Sequence, residues 1–507
     1  MAVKRYYAKK DNTITNAFKE NLTTRGTSSN MGFADILEVF SIYGQASTSS
    51  TEQSRFLVKF DCTASTNSIK SDRDAGVIPA SGSVNFYLRM FNAPHSQTLP
   101  KSYTMDVSAI SGGWTEGTGM DMEGYKDIGE SNWVNRIASR SAGDHAWSSA
   151  GGDYFSDTSS SFTASFDAGV EDIELDITTL VEQWVSSSNL GQKEDEGVGV
   201  FLSSTYSSAA RSYYTKKFFA RGTEFFYKKP HIEARWDSST EDDRGNFYYS
   251  SSLATAGENL NTIYFYNYFR GRLRNIPSIG TGTIRVSFFS GSTEPTSSAI
   301  TLVADGTHVL SASPTVVTGN YVSTGIYSAA VALTAAATPL QTIFDVWFSG
   351  SDSVTDATTA VQFGTGSIKP KKIYSSTIAP TNDYTISITN LRGTYSPAET
   401  ARLRIYTRQK DWSPTIYTKA VSTPEVEIAE SGSYEIYRVI DDLKVIPHGT
   451  GSTPYHTLLS YDASGSYFDL DMSMFEIGYM HAIKLAFYNQ DIGSWVEQSE
   501  IFKFKVE

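Results

Sequence analysis

Seven histidines, one cysteine and two groups of carboxylates are the residues from which a reactive site could be built. The histidines stand at His95, His145, His231, His308, His448, His456 and His481. No two fall in an H-x-x-x-H or H-E-x-x-H spacing, which would set two imidazoles on one helix face for zinc. Cys62 has no second cysteine to pair with, and no Gly-x-Ser-x-Gly turn presents a serine nucleophile. Asp121, Glu123, Asp127 and Glu130 offer oxygen ligands of the kind calcium takes, but not at the spacing of a calcium loop. Asp469 and Asp471 alternate in "FDLDMS", which puts both on the solvent side of a strand. Two carboxylates from distant strands would suffice for glycoside hydrolysis, yet no local pair points to it. "GVGVFL" at Gly197–Leu202 lacks the third glycine and the helix of a dinucleotide site and reads as a strand. The expectation is a chain that is not an enzyme, with no cofactor and no metal. Trp114, Trp133 and Trp147 carry a different chemistry: in loop-like surroundings, their rings either stack on a glycan or pack their own segment onto the fold.

The elements around these residues read as strands and turns. The chain has 507 residues, 40% hydrophobic, 13% aromatic and 19% charged. That length asks for about three cores rather than one. Period-two alternation sets Phe56, Val58 and Phe60 on one face, with Leu57 on the polar side. It likewise groups Val84, Phe86, Leu88 and Met90, then Ile173, Leu175 and Ile177, then Val198, Val200 and Leu202, and finally Ile232, Ala234 and Trp236. The net charge of −13 disfavours a phosphate backbone as partner. "VKRYYAKK" at Val3–Lys10 reads as a solvated or partner-facing basic arm. The basic start lacks an apolar stretch of the signal-peptide kind, and no run approaches a membrane span, so assembly in a cytoplasm without a membrane partner is expected. The lack of a possible intrachain disulfide agrees with a reducing compartment.

Composition places a first domain at 1–237, with a Gly-, Ser- and Trp-rich insert at about 121–161, a second at 247–374 and a third at 384–507. "DSSTEDDRGN" after Trp236 and "SSTIAPTND" at Ser375–Asp383 read as linkers. The third domain looks like a divergent repeat of the second. Gly325, Tyr327, Ile343 and Trp347 match Gly465, Tyr467, Ile483 and Phe487 at a constant offset of 140. "FRGRLRN" and "TIRVSFF" also answer "LRGTYSP" and "RLRIYTR". Each block has the length of an immunoglobulin-like sandwich.

One segment breaks the strand pattern. In Asp176–Gly191, Ile177, Leu180, Val181, Trp184 and Val185 form the stripe of an amphipathic helix, with Thr179 and Glu182 at capping-box spacing and Gly191 placed to end it. Asp176, Thr178, Val181 and Trp184 fit D-x-T-x-x-V-x-x-W. Asn30-Met31-Gly32 forms an N-x-G turn, and Pro230 precedes the last strand. With these motifs, residues 10–236 resemble the DNRLRE-type, disaggregatase-related β-sandwich grouped with carbohydrate-binding modules. The resemblance implies that the helix caps a sandwich with Trp184 plugging the core, and the insert departs from the family pattern.

The C-terminal "YEIYRVIDDLKVIPHGTG", "GSYFDLDMSMFEIGYMHAIKLAFY" and "VEQSEIFKFKVE" resemble structural proteins of tailed bacteriophages, especially large marine ones. The fold expected is all-β: a jelly-roll-like sandwich with one capping helix, then two immunoglobulin-like sandwiches. The function expected is a structural virion component at the neck or collar, the capsid surface or a tail appendage. Its partners would be other virion proteins, with the chain in a symmetric homo-oligomer or multiple copies. The alternative is a carbohydrate-binding adhesin that holds a host-surface glycan, with Trp114, Trp133 and Trp147 as contacts.

Overall fold

The computed structural model describes residues 2–45, 50–95, 99–120, 124–139, 143–186, 193–209, 211–296, 298–303, 306, 314–349, 360–375, 384–410, 412–413, 416, 426–450, 455–489 and 492–507. The chain is all-β, built of sandwiches with few helices. It packs as two compact units that divide after Asp237.

The first unit holds two antiparallel sheets. One orders Val3–Tyr7, His231–Arg235, Asn85–Met90 and Ile173–Asp176. The other runs Tyr213–Phe219, Ile36–Gln45, Ser50–Lys59, Val198–Leu202, Tyr103–Ala109 and Ser161–Phe166, with Lys10–Thr15 paired to Ser50–Lys59. The inward series expected from alternation meet in one core: Phe56, Val58, Phe60, Phe86, Leu88, Met90, Val198, Val200, Ile232 and Ala234. The basic arm is not solvated as a whole. Val3–Tyr7 is an edge strand paired with His231–Arg235, and its Arg5 faces Glu233 across the ladder, with Nε 2.9 Å from the carboxylate.

The helix expected after Asp176 spans Thr178–Val185, and Trp184 lies fully buried in the core beside Leu180 and Val181. Its start differs from the capping box. Ile177 is the first residue outside the helix, and no side chain caps it. The Asp176 carboxylate instead accepts the Thr178 N–H at 2.9 Å and its hydroxyl at 2.6 Å, and the same hydroxyl accepts the Phe86 N–H. Glu182 is drawn away by Arg73, which binds both its oxygens at 2.7 Å. A capping box forms elsewhere, reciprocally between Ser68 and Ser71 at the helix Ile69–Asp74. Gly191 lies outside the described residues.

In the second unit, Asn261–Tyr266, Ile326–Val331, Val317–Ser323, Ile284–Ser290, Ile343–Phe348 and Gln362–Ile368 follow one another around a single curled sheet. Tyr384–Ile388, Thr400–Gln409, Gly465–Asp471 and Ser460–Asp462 make one sheet of the last module. Thr394–Tyr395, Phe502–Val506, Met480–Asn489, Gly432–Arg438 and Leu443–Ile446 make the other. The offset of 140 joins strands with equivalent partners. Ile343–Phe348 pairs Gln362–Ile368 as Met480–Asn489 pairs Phe502–Val506, and Asn261–Tyr266 pairs Ile326–Val331 as Thr400–Gln409 pairs Gly465–Asp471. The match of "TIRVSFF" to "RLRIYTR" does not hold in the ladders. The first ladders with Ile343–Phe348, so its counterpart is Gly432–Arg438, the partner of Met480–Asn489. Alternating basic residues recur wherever a strand has a solvated face; ladder partners do not.

The segment after Asp237 is not a free linker. Glu241 bridges Tyr461 in parallel, the Tyr461 N–H donates to Thr240 O at 3.0 Å, and the Tyr461 hydroxyl donates to Asp243 at 2.9 Å. Arg244 then reaches the fully buried Asp345 with two bonds of 2.5 and 2.8 Å, and the Trp347 indole N–H donates to the same carboxylate at 2.6 Å. Of the other linker, residues 376–383 lie outside the described residues.

Candidate functional site

The three tryptophans of the glycan expectation are inside the protein. Trp114, Trp133 and Trp147 are 3%, 7% and 5% exposed and form a second, smaller core with Ile14, Leu57 and Ile110. Two of their indole N–H groups are taken by backbone: Trp114 donates to Glu196 O and Trp147 to Asn132 O, each at 2.9 Å. Trp133, Tyr154 and Phe201 close around the Arg55 guanidinium at 4.9–5.8 Å. Rings so enclosed give no face to a sugar, so as glycan contacts these residues are corrected to packing. Leu57 carried the signal. An apolar residue on the outward side of an alternating strand is explained once the insert covers that face. Gly199 serves the same seam: a Cβ there would lie 2.1 Å from the Tyr154 ring.

Among the described residues, the carboxylates singled out in the sequence do not converge with a histidine. Asp121 and Glu123 lie outside the described residues, and Asp127 accepts the Met120 N–H. Asp469 binds Arg402 at 2.8 and 2.9 Å, and Asp471 caps the short turn at Met472–Met474. His231 and His481 are buried, and burial lowers each pKa to about 4, which leaves both neutral near neutral pH. Among the described residues no three His, Cys, Asp or Glu side chains stand together as a metal site.

A concave site does exist in the second unit, where alternation had not pointed. It is a cleft of about 550 Å³, within the usual small-molecule range. Its floor follows from the strand Thr400–Gln409, which turns Ala401, Leu403, Ile405 and Thr407 inward and leaves Arg408 and Gln409 at its outer end. The neighbouring segment is pinned to this strand by the Glu427 N–H, which donates to Thr407 O at 3.0 Å. Ser431 O accepts the Tyr488 N–H at 3.0 Å, and the Lys371 N–H donates to Phe247 O at 2.8 Å. Among the described residues, five aromatic side chains line the cleft: Tyr248, Tyr384, Trp412, Phe487 and Tyr488. Tyr384 meets Phe487 edge-on at 5.3 Å, and the Arg408 guanidinium lies 5.3 Å from the centre of the Trp412 ring.

Among the described residues, charge in the cleft is balanced. Lys371 donates to Asn246 Oδ1 at 3.0 Å, the Asn246 amide donates to Glu430, and the Gln409 amide donates to Glu427 at 3.1 Å. Arg408 has no ion-pair partner among the described residues, and its buried Nε has no hydrogen-bond partner. Burial raises the pKa of Tyr248 and Tyr384, and Glu427 and Glu430 raise both further, so the two phenols stay protonated donors. A second cavity of about 200 Å³ shares Tyr384 and Phe487 with the first.

No known protein family matches the chain, and no curated protein matches it. Among solved structures it is similar to a marsupial T cell receptor at 8% identity and a TM-score of 0.16, over 52% of this chain and 71% of that one. The N-terminal Ig1-2 module of the Drosophila receptor protein tyrosine phosphatase DLAR matches at 8% identity and a TM-score of 0.14, over 49% of this chain and 91% of that one. An Escherichia coli alpha-2-macroglobulin matches at 7% identity and a TM-score of 0.15, over 83% of this chain and 20% of that one. Among the described residues no helix is long and apolar enough to cross a membrane.

Proposed function

We propose that the chain is a structural component of a tailed-phage particle, assembled in the host cytoplasm and acting through protein–protein contacts. The observation that carries the reading is the joint in the second unit. Its two modules are held by a bidentate Arg244–Asp345 pair inside one and a backbone bridge from Glu241 to Tyr461 of the other. A part that must keep its shape within an assembly needs modules fixed in this way. The last module also carries apolar side chains set outward at one end. Ile440, Ile477 and Met480 are 73%, 60% and 43% exposed, and the Val439 N–H donates to Met480 O. Apolar side chains grouped at a module end suit a partner surface. The phage resemblance of the C-terminal segments supports the same reading.

The test is the copy number of this chain in purified particles, by quantitative mass spectrometry against the major capsid protein. A small multiple of five, six or twelve places it at a vertex, neck or tail ring, and hundreds of copies place it on the capsid surface. Absence from particles refutes the proposal and leaves the carbohydrate-binding adhesin as the reading to pursue.

A further inference from the structure

We infer that the cleft bounded by Trp412, Arg408, Glu430 and Tyr384 binds a neutral saccharide. Among the described residues, Lys371 and Arg408 stand against Glu427 and Glu430, two of each sign around one space. An anionic ligand meets the carboxylates and a cationic one meets the guanidinium and ammonium, so an ion of either sign is penalised. A polyhydroxyl ligand avoids both penalties. Each hydroxyl donates and accepts, and so can bond to carboxylates and cations in turn. Hydrogen bonds to charged groups are also the stronger kind. The side chains are positioned in advance: Asn246 is held between Lys371 and Glu430, and Gln409 is held by Glu427.

The rings supply the second half of the recognition. A pyranose presents C–H groups on its faces and hydroxyls around its rim. Trp412 is partly exposed in the cleft wall, and its ring is already oriented by the Arg408 guanidinium. An aromatic gives large contact area at low entropic cost. The buried Arg408 Nε lacks a partner, and a ligand hydroxyl would supply one. The smaller cavity beyond Tyr384 and Phe487 extends the site, which favours an oligosaccharide over a single ring. This site is separate from the three tryptophans of the first unit, and it holds whether or not the chain is a virion part.

The experiment uses the full chain on immobilised neutral, sialylated and sulfated oligosaccharides, followed by calorimetry with the best neutral probe. Retention of neutral oligosaccharides is expected. Trp412→Ala and Glu430→Gln should each weaken binding about tenfold or more. Tyr213→Ala, at an exposed position of the first unit, should leave it unchanged. A near-ultraviolet circular dichroism spectrum on each variant confirms the fold, and the conservative Glu430→Gln tests the site should Trp412→Ala fail to fold. Retention of none of the probes, preference for the anionic ones, or full binding by Glu430→Gln overturns the inference.

Discussion

Arg244→Met should destabilise the second unit by about 3–5 kcal/mol, the usual cost of removing one partner from a buried ion pair. The structure says why the figure belongs at this end of the scale. Asp345 is fully buried, and among the described residues Arg244 supplies two of the three side-chain hydrogen bonds it accepts, at 2.5 and 2.8 Å; the third comes from the Trp347 indole at 2.6 Å. Without the guanidinium, a carboxylate remains in the interior with one donor. Charge-assisted bonds of this kind contribute about 1.5–3 kcal/mol each. The double variant Arg244→Met/Asp345→Leu removes the charge with its partner, and leaves the Trp347 indole N–H and the Tyr264 carbonyl, which accepts from Arg244 at 3.2 Å, without those partners. It should therefore cost less than the single variant, about 1–3 kcal/mol. Urea unfolding of the full chain gives the energies, and hydrogen exchange with mass spectrometry locates the loss in peptides covering Asn261–Tyr266 and Ile343–Phe348. A single variant within about 1 kcal/mol of the parent, or a double variant no more stable than the single, refutes the reasoning.

Gly366→Ala should mimic the loss of Arg244, because a Cβ there falls 2.2 Å from its Nη1 and 2.7 Å from Asp345 Oδ1; the same exchange peptides report it. Trp184→Ala removes the fully buried ring under the capping helix and should cost about 3–5 kcal/mol in urea unfolding of the first unit. Burial lowers the pKa of Lys216 to about 8 from its ordinary 10.5, in a site with Glu171, Asp172 and His95 nearby. Between these values the unfolded chain binds the extra proton, so this residue's contribution to stability rises with pH through that window and is lost as pH falls through 8. Lys216→Met should flatten that rise in urea midpoints measured from pH 7.5 to 9.5.

Much of the first sandwich was legible because its core residues are set by local alternation. Phe56, Val58 and Phe60, like Phe86, Leu88 and Met90, needed only their neighbours in sequence to be assigned inward. The helix stripe was legible for the same reason. Its start was not, because Arg73, some hundred residues earlier, claims Glu182. The joint escaped for the same cause on a larger scale. "DSSTEDDRGN" has the composition of a linker, and the partners that order it are Asp345 and Tyr461. The candidate cleft draws on Asn246, Lys371, Arg408, Glu430 and Phe487, residues that no local spacing connects. Only Leu57, apolar where its strand should be polar, hinted in sequence at a surface covered by something distant.

The bridge between Glu241 and Tyr461 also sets an order of events during synthesis. The first sandwich has its last strand, His231–Arg235, before the bridge segment is made, and the Arg244–Asp345 pair can close about a hundred residues later. Thr240 waits longer, for the 220 residues that separate it from Ser460, to which it donates at 3.0 Å. At about 5–20 residues per second the ribosome takes roughly 10–45 s to supply that partner. Through this interval the segment offers unpaired backbone groups to any strand at hand, including one on a neighbouring nascent chain. A chain released before Tyr461 would keep that open edge permanently, so early termination late in the message should yield aggregation rather than a shortened soluble product.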